Sequence, residues 1–259
     1  MPTDESCIIS RYIPNPLLIN GLKFDLRIYV VVTCFDPLRI YIYNEGLTRF
    51  ASEKYKLSDC KSNRFAHLTN YSVNKKNEKF VQNTNATEDG KGNKWSLSAL
   101  FKHFDVIGVD CDLLWSRVYD IIIKSFISVE GVLNQTAKKF SCHRSNCFEL
   151  FGFDILIDSG LHPWLMEINL TPSLACESPL DFQIKSNLIA DMFTLIGIQP
   201  FDRKKESSYC KQKPTTGYYN LNDPLHSLMP LSAVTENPDD ITNTVVFAKL
   251  RVFCYLQTL

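Results

Sequence analysis

Phe148-Glu-Leu-Phe-Gly-Phe-Asp154-Ile-Leu-Ile-Asp158-Ser-Gly-Leu-His-Pro163-Trp-Leu-Met-Glu167-Ile-Asn169 sets two apolar runs around a turn of Asp158, Ser159, Gly160 and Pro163. That pattern reads as a β-hairpin. With residues 159–162 as a four-residue loop, Asp158 pairs with Pro163 and Asp154 falls opposite Glu167. Glu167 and Asn169 are two apart and share a strand face. Three oxygen-bearing side chains then converge on one spot of an apolar hairpin, and such ligands suit Mg²⁺. Carboxylates at strand ends are often merely solvated. An unpaired one among buried-type neighbours carries a desolvation cost that a cation relieves, so Asp154, Glu167 and Asn169 read as a metal-nucleotide site.

Upstream, residues 7–55 alternate like sheet. Lys23, Asp25 and Arg27 share one face, and Phe24, Leu26 and Ile28 the other. Turns are expected at Phe35-Asp36-Pro37 and at Asn44-Glu45-Gly46, joining short antiparallel strands. Arg27 and Arg49 offer guanidinium forks to phosphate or carboxylate. Surface ion pairing is the competing explanation, but three charges in one stripe favour a site. The polar, Asn-rich stretch over residues 67–92 reads as a long surface loop, with His67, Thr69, Asn70, Tyr71 and Ser72 offering polar groups. A helix with Ser96 as N-cap is expected over residues 96–104, and a second over 112–140. A third spans 179–196 with Leu180, Ile184, Leu188, Ile189, Met192 and Phe193 on one stripe. Read alone, Lys94 and Lys185 look like solvated surface lysines. From Pro200 the chain turns charged, then turn-rich, then apolar over residues 245–256, and nothing in the pattern ties this tail to the core.

The 259 residues suffice for one large domain or two small ones. Twenty-eight basic residues balance 28 acidic ones, so the whole chain offers no strong field to nucleic acid or membrane. No apolar run reaches membrane-span length, and the first residues lack a signal-peptide pattern. Nine irregularly spaced cysteines fit free intracellular thiols better than zinc, although the cluster of Cys142, His143 and Cys147 has metal-binding residue types. Neither a P-loop nor a Rossmann glycine motif is present.

Seven segments occur in order: Ser10-Arg-Tyr-Ile13, Lys23-Phe-Asp-Leu-Arg27, Glu45-Gly-Leu-Thr-Arg-Phe-Ala51, His67-Leu-Thr-Asn-Tyr-Ser-Val-Asn-Lys75, Gly92-Asn-Lys-Trp95, Glu149-Leu-Phe-Gly-Phe-Asp154 and Trp164-Leu-Met-Glu-Ile-Asn-Leu-Thr-Pro-Ser173. Over residues 8–198 the chain resembles the tubulin tyrosine ligase-like family, most of all its polyglutamylase branch. The resemblance implies an α+β, ATP-grasp-like fold, mainly antiparallel sheet with flanking helices. Residues 1–198 would be the C-terminal portion of the catalytic domain and 199–259 a tail. The family carries a further lobe upstream of Ser10, with a phosphate-binding lysine and a Gly-rich loop. A chain without that N-terminal lobe is expected to be a piece of a working ligase or a truncated product.

By the same resemblance, ATP and Mg²⁺ are the cofactors and Asp154, Glu167 and Asn169 the metal ligands. Ser10, Arg11, Tyr12 and Ile13 line the adenine pocket, while Lys23, Phe24, Asp25, Thr69 and Asn70 meet the nucleotide. Arg49, Tyr71, Ser72, Lys94 and Lys185 hold free L-glutamate, and Arg27 and Arg49 act in catalysis. The implied reaction adds glutamate through an isopeptide bond to glutamate side chains in the acidic tails of tubulin. A carboxylate is a poor electrophile, so ATP first converts it to an acyl phosphate that the amine attacks. Tubulin and microtubules are the implied partners of a monomer in the cytoplasm and cytoskeleton, cilium or basal body included. Alternatives are a non-catalytic tubulin-binding fragment, or a ligase of the same fold adding glycine or tyrosine.

Overall fold

The computed structural model describes residues 10–60, 62–85, 89–140, 148–197 and 250–254. A two-residue strand β1 (Leu18–Ile19) turns through Asn20 and Gly21, both at positive φ, into β2 (Leu22–Phe35). Asn-Gly is the pair that a tight hairpin turn of this hand requires. Along β2, Phe24, Leu26, Ile28, Val30 and Val32 enter one core; Lys23, Asp25, Arg27, Tyr29 and Val31 face the other way. The strand is buried on both faces, so a one-residue slip would drive charges into the core.

The turn at Asp36-Pro37 leads, as expected, into β3 (Leu38–Lys54), with Phe35 paired to Leu38. The second expected turn is absent. β3 runs straight through Asn44–Gly46 with a bulge, pairing shifting from Val30–Ile42 to Ile28–Gly46. A Cβ on Gly46 would stand 2.5 Å from the Arg27 carbonyl oxygen. This glycine therefore permits close backbone approach at a bulge rather than a chain reversal.

A 3₁₀ turn (Leu57–Asp59) and two short helices, α1 (Arg64–His67) and α2 (Tyr71–Asn74), follow. Here the expected surface loop is corrected. His67, Thr69, Asn74 and Asn83 are buried. Asn74 accepts from Ser52 N and Oγ and donates to Leu68 O and Asn70 O, which pins the segment against β3. A short side chain with four hydrogen-bond sites can replace secondary structure there.

Strand β4 (Lys94–Ser96) leads into α3 (Leu97–Ile107), with Ser96 as N-cap accepting from Ala99 N. The single helix expected over 112–140 is two: α4 (Cys111–Ile127) and α5 (Glu130–Phe140). Ser128, Val129 and Gly131 are weak helix formers at the break. The hairpin strands β5 (Glu149–Ile157) and β6 (Pro163–Asn169) and the helix α6 (Pro179–Leu195) follow. The sheet order is β4-β3-β2-β5-β6, antiparallel throughout, an α+β architecture. Within the tail, whose sequence pattern showed no tie to the core, β7 (Leu250–Cys254) pairs with β3 along Arg39–Tyr43. Residues 198–249 and the Cys142–His143–Cys147 cluster lie outside the described residues.

Helices α3 and α4 cover the Phe24 face through Leu97, Leu100, Phe104, Leu114, Val118 and Ile122. On the opposite face, α6 lays Leu180, Ile184, Leu188 and Met192 against Tyr29, Val31, Tyr43, Leu47 and Leu150. Each such side chain contributes roughly 1.5–3 kcal/mol by leaving water. The expected α6 stripe holds except at Phe193, which is exposed. That face's remaining polar side chains form the site.

Candidate active site

Cross-strand pairing lays a row of charge over five strands. Lys94 on β4 pairs with Arg49 on β3, and Arg49 with Asp25 on β2. Two residues along β2, Arg27 pairs with Asp154 on β5, which pairs with Glu167 on β6. Opposed residues in adjacent strands have Cβ atoms about 4.5–5.5 Å apart, so oppositely charged side chains meet directly. Arg49 donates from Nε to Asp25 Oδ1 at 2.8 Å, and from Nη2 to Asp25 Oδ2 at 2.5 Å and Asp154 Oδ2 at 2.8 Å. Arg27 donates to Asp154 Oδ1 at 2.5 Å and Oδ2 at 3.0 Å.

Burial alone would raise the pKa of Asp154, but hydrogen bonds from Arg27 and the charge of Arg49 outweigh it and hold the carboxyl below its ordinary value. Burial likewise opposes the charge on Arg49, and Asp25 and Asp154 reverse that. Gly152 makes room beside the row: a Cβ there would lie 2.8 Å from Pro172 Cβ and 3.2 Å from Arg27 Cδ.

Asp154 does face Glu167, by a different route from the one expected. The loop is five residues long, since Ile157 pairs with Pro163, and a bulge at Met166 shifts the register back by one. Asn169 shares the Glu167 face and donates to Glu167 Oε1 at 3.1 Å. Contrary to expectation, the trio holds no unpaired buried carboxylate. β6 is an edge strand on which Glu167 is exposed, and the arginines already neutralise Asp154.

Among the described residues, no three His, Cys, Asp or Glu side chains cluster around a common metal position. What fits Mg²⁺ is the donor chemistry: two carboxylates and an amide oxygen on facing strands, with Glu167 carrying no salt bridge among the described residues.

Ser10, Arg11, Tyr12 and Ile13 line a cavity of about 460 Å³ with Asp158–Gly160 and Trp164–Met166. Lys23 Nζ lies 5.1 Å from the centre of the Tyr12 ring and donates to His67 O. Burial lowers the Lys23 pKa, against the opposing pull of Asp25. Phe24 is a correction: its side chain lies in the opposite core against Phe50 and Phe104. Thr69 is buried beside α2, while Asn70 and Ser72 are exposed.

Lys94 and Lys185 are not solvated surface lysines; each is 8% exposed. Lys94 donates to Asp181 Oδ2 at 2.6 Å and lies 4.7 Å from the Tyr71 ring centre. Lys185 donates to Ala175 O and stands 3.9 Å from Asp181 Oδ1.

Sequence reasoning missed Asp181 and Asn74, and it read His67 only as a polar group at the start of a surface loop. Asp181 sits on α6, 87 residues from Lys94, and only the fold joins them. Buried His67 takes Tyr12 Oη at its Nδ1 (2.6 Å) and Lys56 O at its Nε2 (3.1 Å), tying the cavity segment to the end of β3. Asn74 had a visible signal, since it falls within the quoted His67–Lys75 segment, but its role depends on contacts across the sheet.

An antiparallel sheet with flanking helices, bearing one carboxylate-arginine row, defines an ATP-grasp-like α+β domain. The model of the tubulin-tyrosine ligase family matches residues 1–206, and the chain belongs to that family. Over 214 residues it is 50% identical to the human tubulin polyglutamylase TTLL5, a match covering 82% of this chain and 17% of that protein. It is 46% identical over 209 residues to the Caenorhabditis elegans tubulin polyglutamylase ttll-5, covering 79% and 28%. To the mouse tubulin monoglutamylase TTLL4 it is 46% identical over 198 residues, covering 76% and 16%. The chain thus spans well under a third of the length of these relatives.

Proposed function

We propose that residues 10–197 carry the nucleotide and amino-acid sites of an ATP- and Mg²⁺-dependent ligase that joins glutamate to glutamate side chains in tubulin tails. The observation that carries the reading is the row from Lys94 to Glu167, with cations at its β4 end and an exposed carboxylate at its β6 end. Relatives named for tubulin polyglutamylation and monoglutamylation support the choice of substrate. When bound, Mg-ATP supplies the phosphoryl group that activates the acceptor carboxylate.

Asp154, Glu167 and Asn169 would hold the cation. Ser10–Ile13 and Lys23 would seat the nucleotide, with Thr69 and Asn70 beside it. Arg27 and Arg49, locked by bidentate pairing, present guanidinium groups that need not reorganise as negative charge develops. Lys94, Lys185, Tyr71, Ser72 and Arg49 would receive the incoming amino acid; a doubly negative one calls for cations at that end. The proposed setting is the cytoplasm and cytoskeleton, on microtubules, as a monomer.

Incubating the protein that carries these residues with tubulin, ATP, Mg²⁺ and labelled glutamate is expected to label the tubulin tails, and Glu167→Gln to abolish labelling. Unlabelled tubulin with the unmutated protein would overturn the proposal. Competition among glutamate, glycine and tyrosine tests the choice of amino acid, with glutamate expected to win.

A further inference from the structure

Asp181 is the most deeply buried carboxylate among the described residues, at 0% exposure. Part of its role is local: it is the third residue of α6, its N–H donates to the N-cap Ser178 Oγ, and its Oδ2 accepts from Glu177 N. Capping does not require the reach across to β4, where Lys94 donates to the same Oδ2. Its other oxygen, Oδ1, is inaccessible and has no hydrogen-bond partner, with Lys185 Nζ 3.9 Å away.

One carboxylate between two nearly buried ammonium groups leaves a surplus positive charge. The neighbouring arginines do not balance it, since Asp25 and Asp154 already neutralise them. Burying an unmatched charge is costly, and a pair kept for stability alone is matched or replaced by apolar side chains. The surplus therefore suits an anionic ligand. Lys94 is the cross-strand neighbour of Arg49, so the surplus sits at the end of the row.

Resting on the reading of this site as an amino-acid ligase, we propose that Asp181 is the positioning residue of the amino-acid subsite. It fixes Lys94 through Oδ2 and cancels one ammonium charge, so that a single positive charge centred on Lys185 is left for one carboxylate of the substrate. Without Asp181 the two ammonium groups repel, and one must turn to solvent or lose its proton.

The test is calorimetric titration of the full chain with glutamate and, separately, with ATP. Asp181→Asn keeps the shape and removes the charge. We expect glutamate affinity to fall about tenfold or more, ATP affinity to stay within about twofold, and Asp181→Glu to restore part of the loss. Equal loss of both ligands, or unchanged glutamate affinity in a folded Asp181→Asn chain, overturns the proposal. If Asp181→Asn does not fold, Asp181→Glu is compared with the parent chain, since it keeps the charge but displaces the carboxylate from Lys94. There, glutamate affinity lowered with ATP affinity kept supports the assignment, and unchanged glutamate affinity refutes it. A parent chain that binds ATP but no glutamate overturns the ligase reading itself, and this assignment with it. A parent that binds glutamate beside an unaffected Asp181→Asn chain sinks the assignment alone.

Discussion

Arg49 reaches two carboxylates at once because its guanidinium is a rigid fork, meeting Asp25 through Nε and Nη2 and Asp154 through Nη2. A lysine there keeps the charge but not the fork. Arg49→Lys should therefore lower stability by about 1.5–3 kcal/mol, the worth of a charged hydrogen bond, read as a lower urea midpoint. An unchanged midpoint would mean that charge alone holds the pair. Glu167 is the opposite case, exposed and outside the arginine pairs. Glu167→Gln should shift stability by less than about 0.5 kcal/mol in the same assay while removing ligase activity. At this scale sequence spacing read charge well where partners are local or one strand away: Lys23, Asp25 and Arg27 on one face, and Glu167 with Asn169 on another. It misread Lys94 and Lys185, since a lysine's burial depends on a carboxylate that only tertiary packing supplies.

At Gly46 on β3 the neighbouring β2 backbone leaves no room for a side chain, and the consequence is measurable. Gly46→Ala places a methyl against the Arg27 carbonyl, a main-chain atom that cannot swing aside. The expected loss is about 1–3 kcal/mol in urea unfolding, as for overpacking, and a neutral result would show that the bulge relaxes. Gly46 reads in sequence as a turn because bulges and turns use the same residue for different reasons. The bulge at Met166 has no such marker, since nothing in Trp164-Leu-Met-Glu167 distinguishes a bulged strand from a regular one. The expected opposition of Asp154 and Glu167 survived because the longer loop and the bulge displace the register in opposite directions. Asn20-Gly21 was a legible hairpin turn that the alternation pattern overshadowed.

Taken as a whole, the molecule divides its sheet between an apolar face sealed by α3 and α4 and a face shared by α6 and the charged row. Acid should act on it through that row. The folded-state pKa of Asp154 lies below the ordinary 3.8, with burial opposing and Arg27 and Arg49 prevailing; that of Asp158 is also lowered, against burial, by hydrogen bonds from Trp164 and the His162 and Gly160 backbone. A carboxyl that is more acidic when folded contributes stability present above its unfolded pKa and lost as pH falls through the folded one. Urea midpoints should therefore be flat for these groups from neutral pH down to about 5, then drop below about 4. Asp154→Asn removes the shared partner of Arg27 and Arg49 and should cost about 3–5 kcal/mol at neutral pH, the usual penalty for breaking a buried pair on one side. The same variant should lose stability less steeply with acid, because the group that would take up the proton is gone. A parent chain and an Asp154→Asn chain with parallel acid slopes would place the sensitivity elsewhere and show that the arginines do not depress this carboxyl.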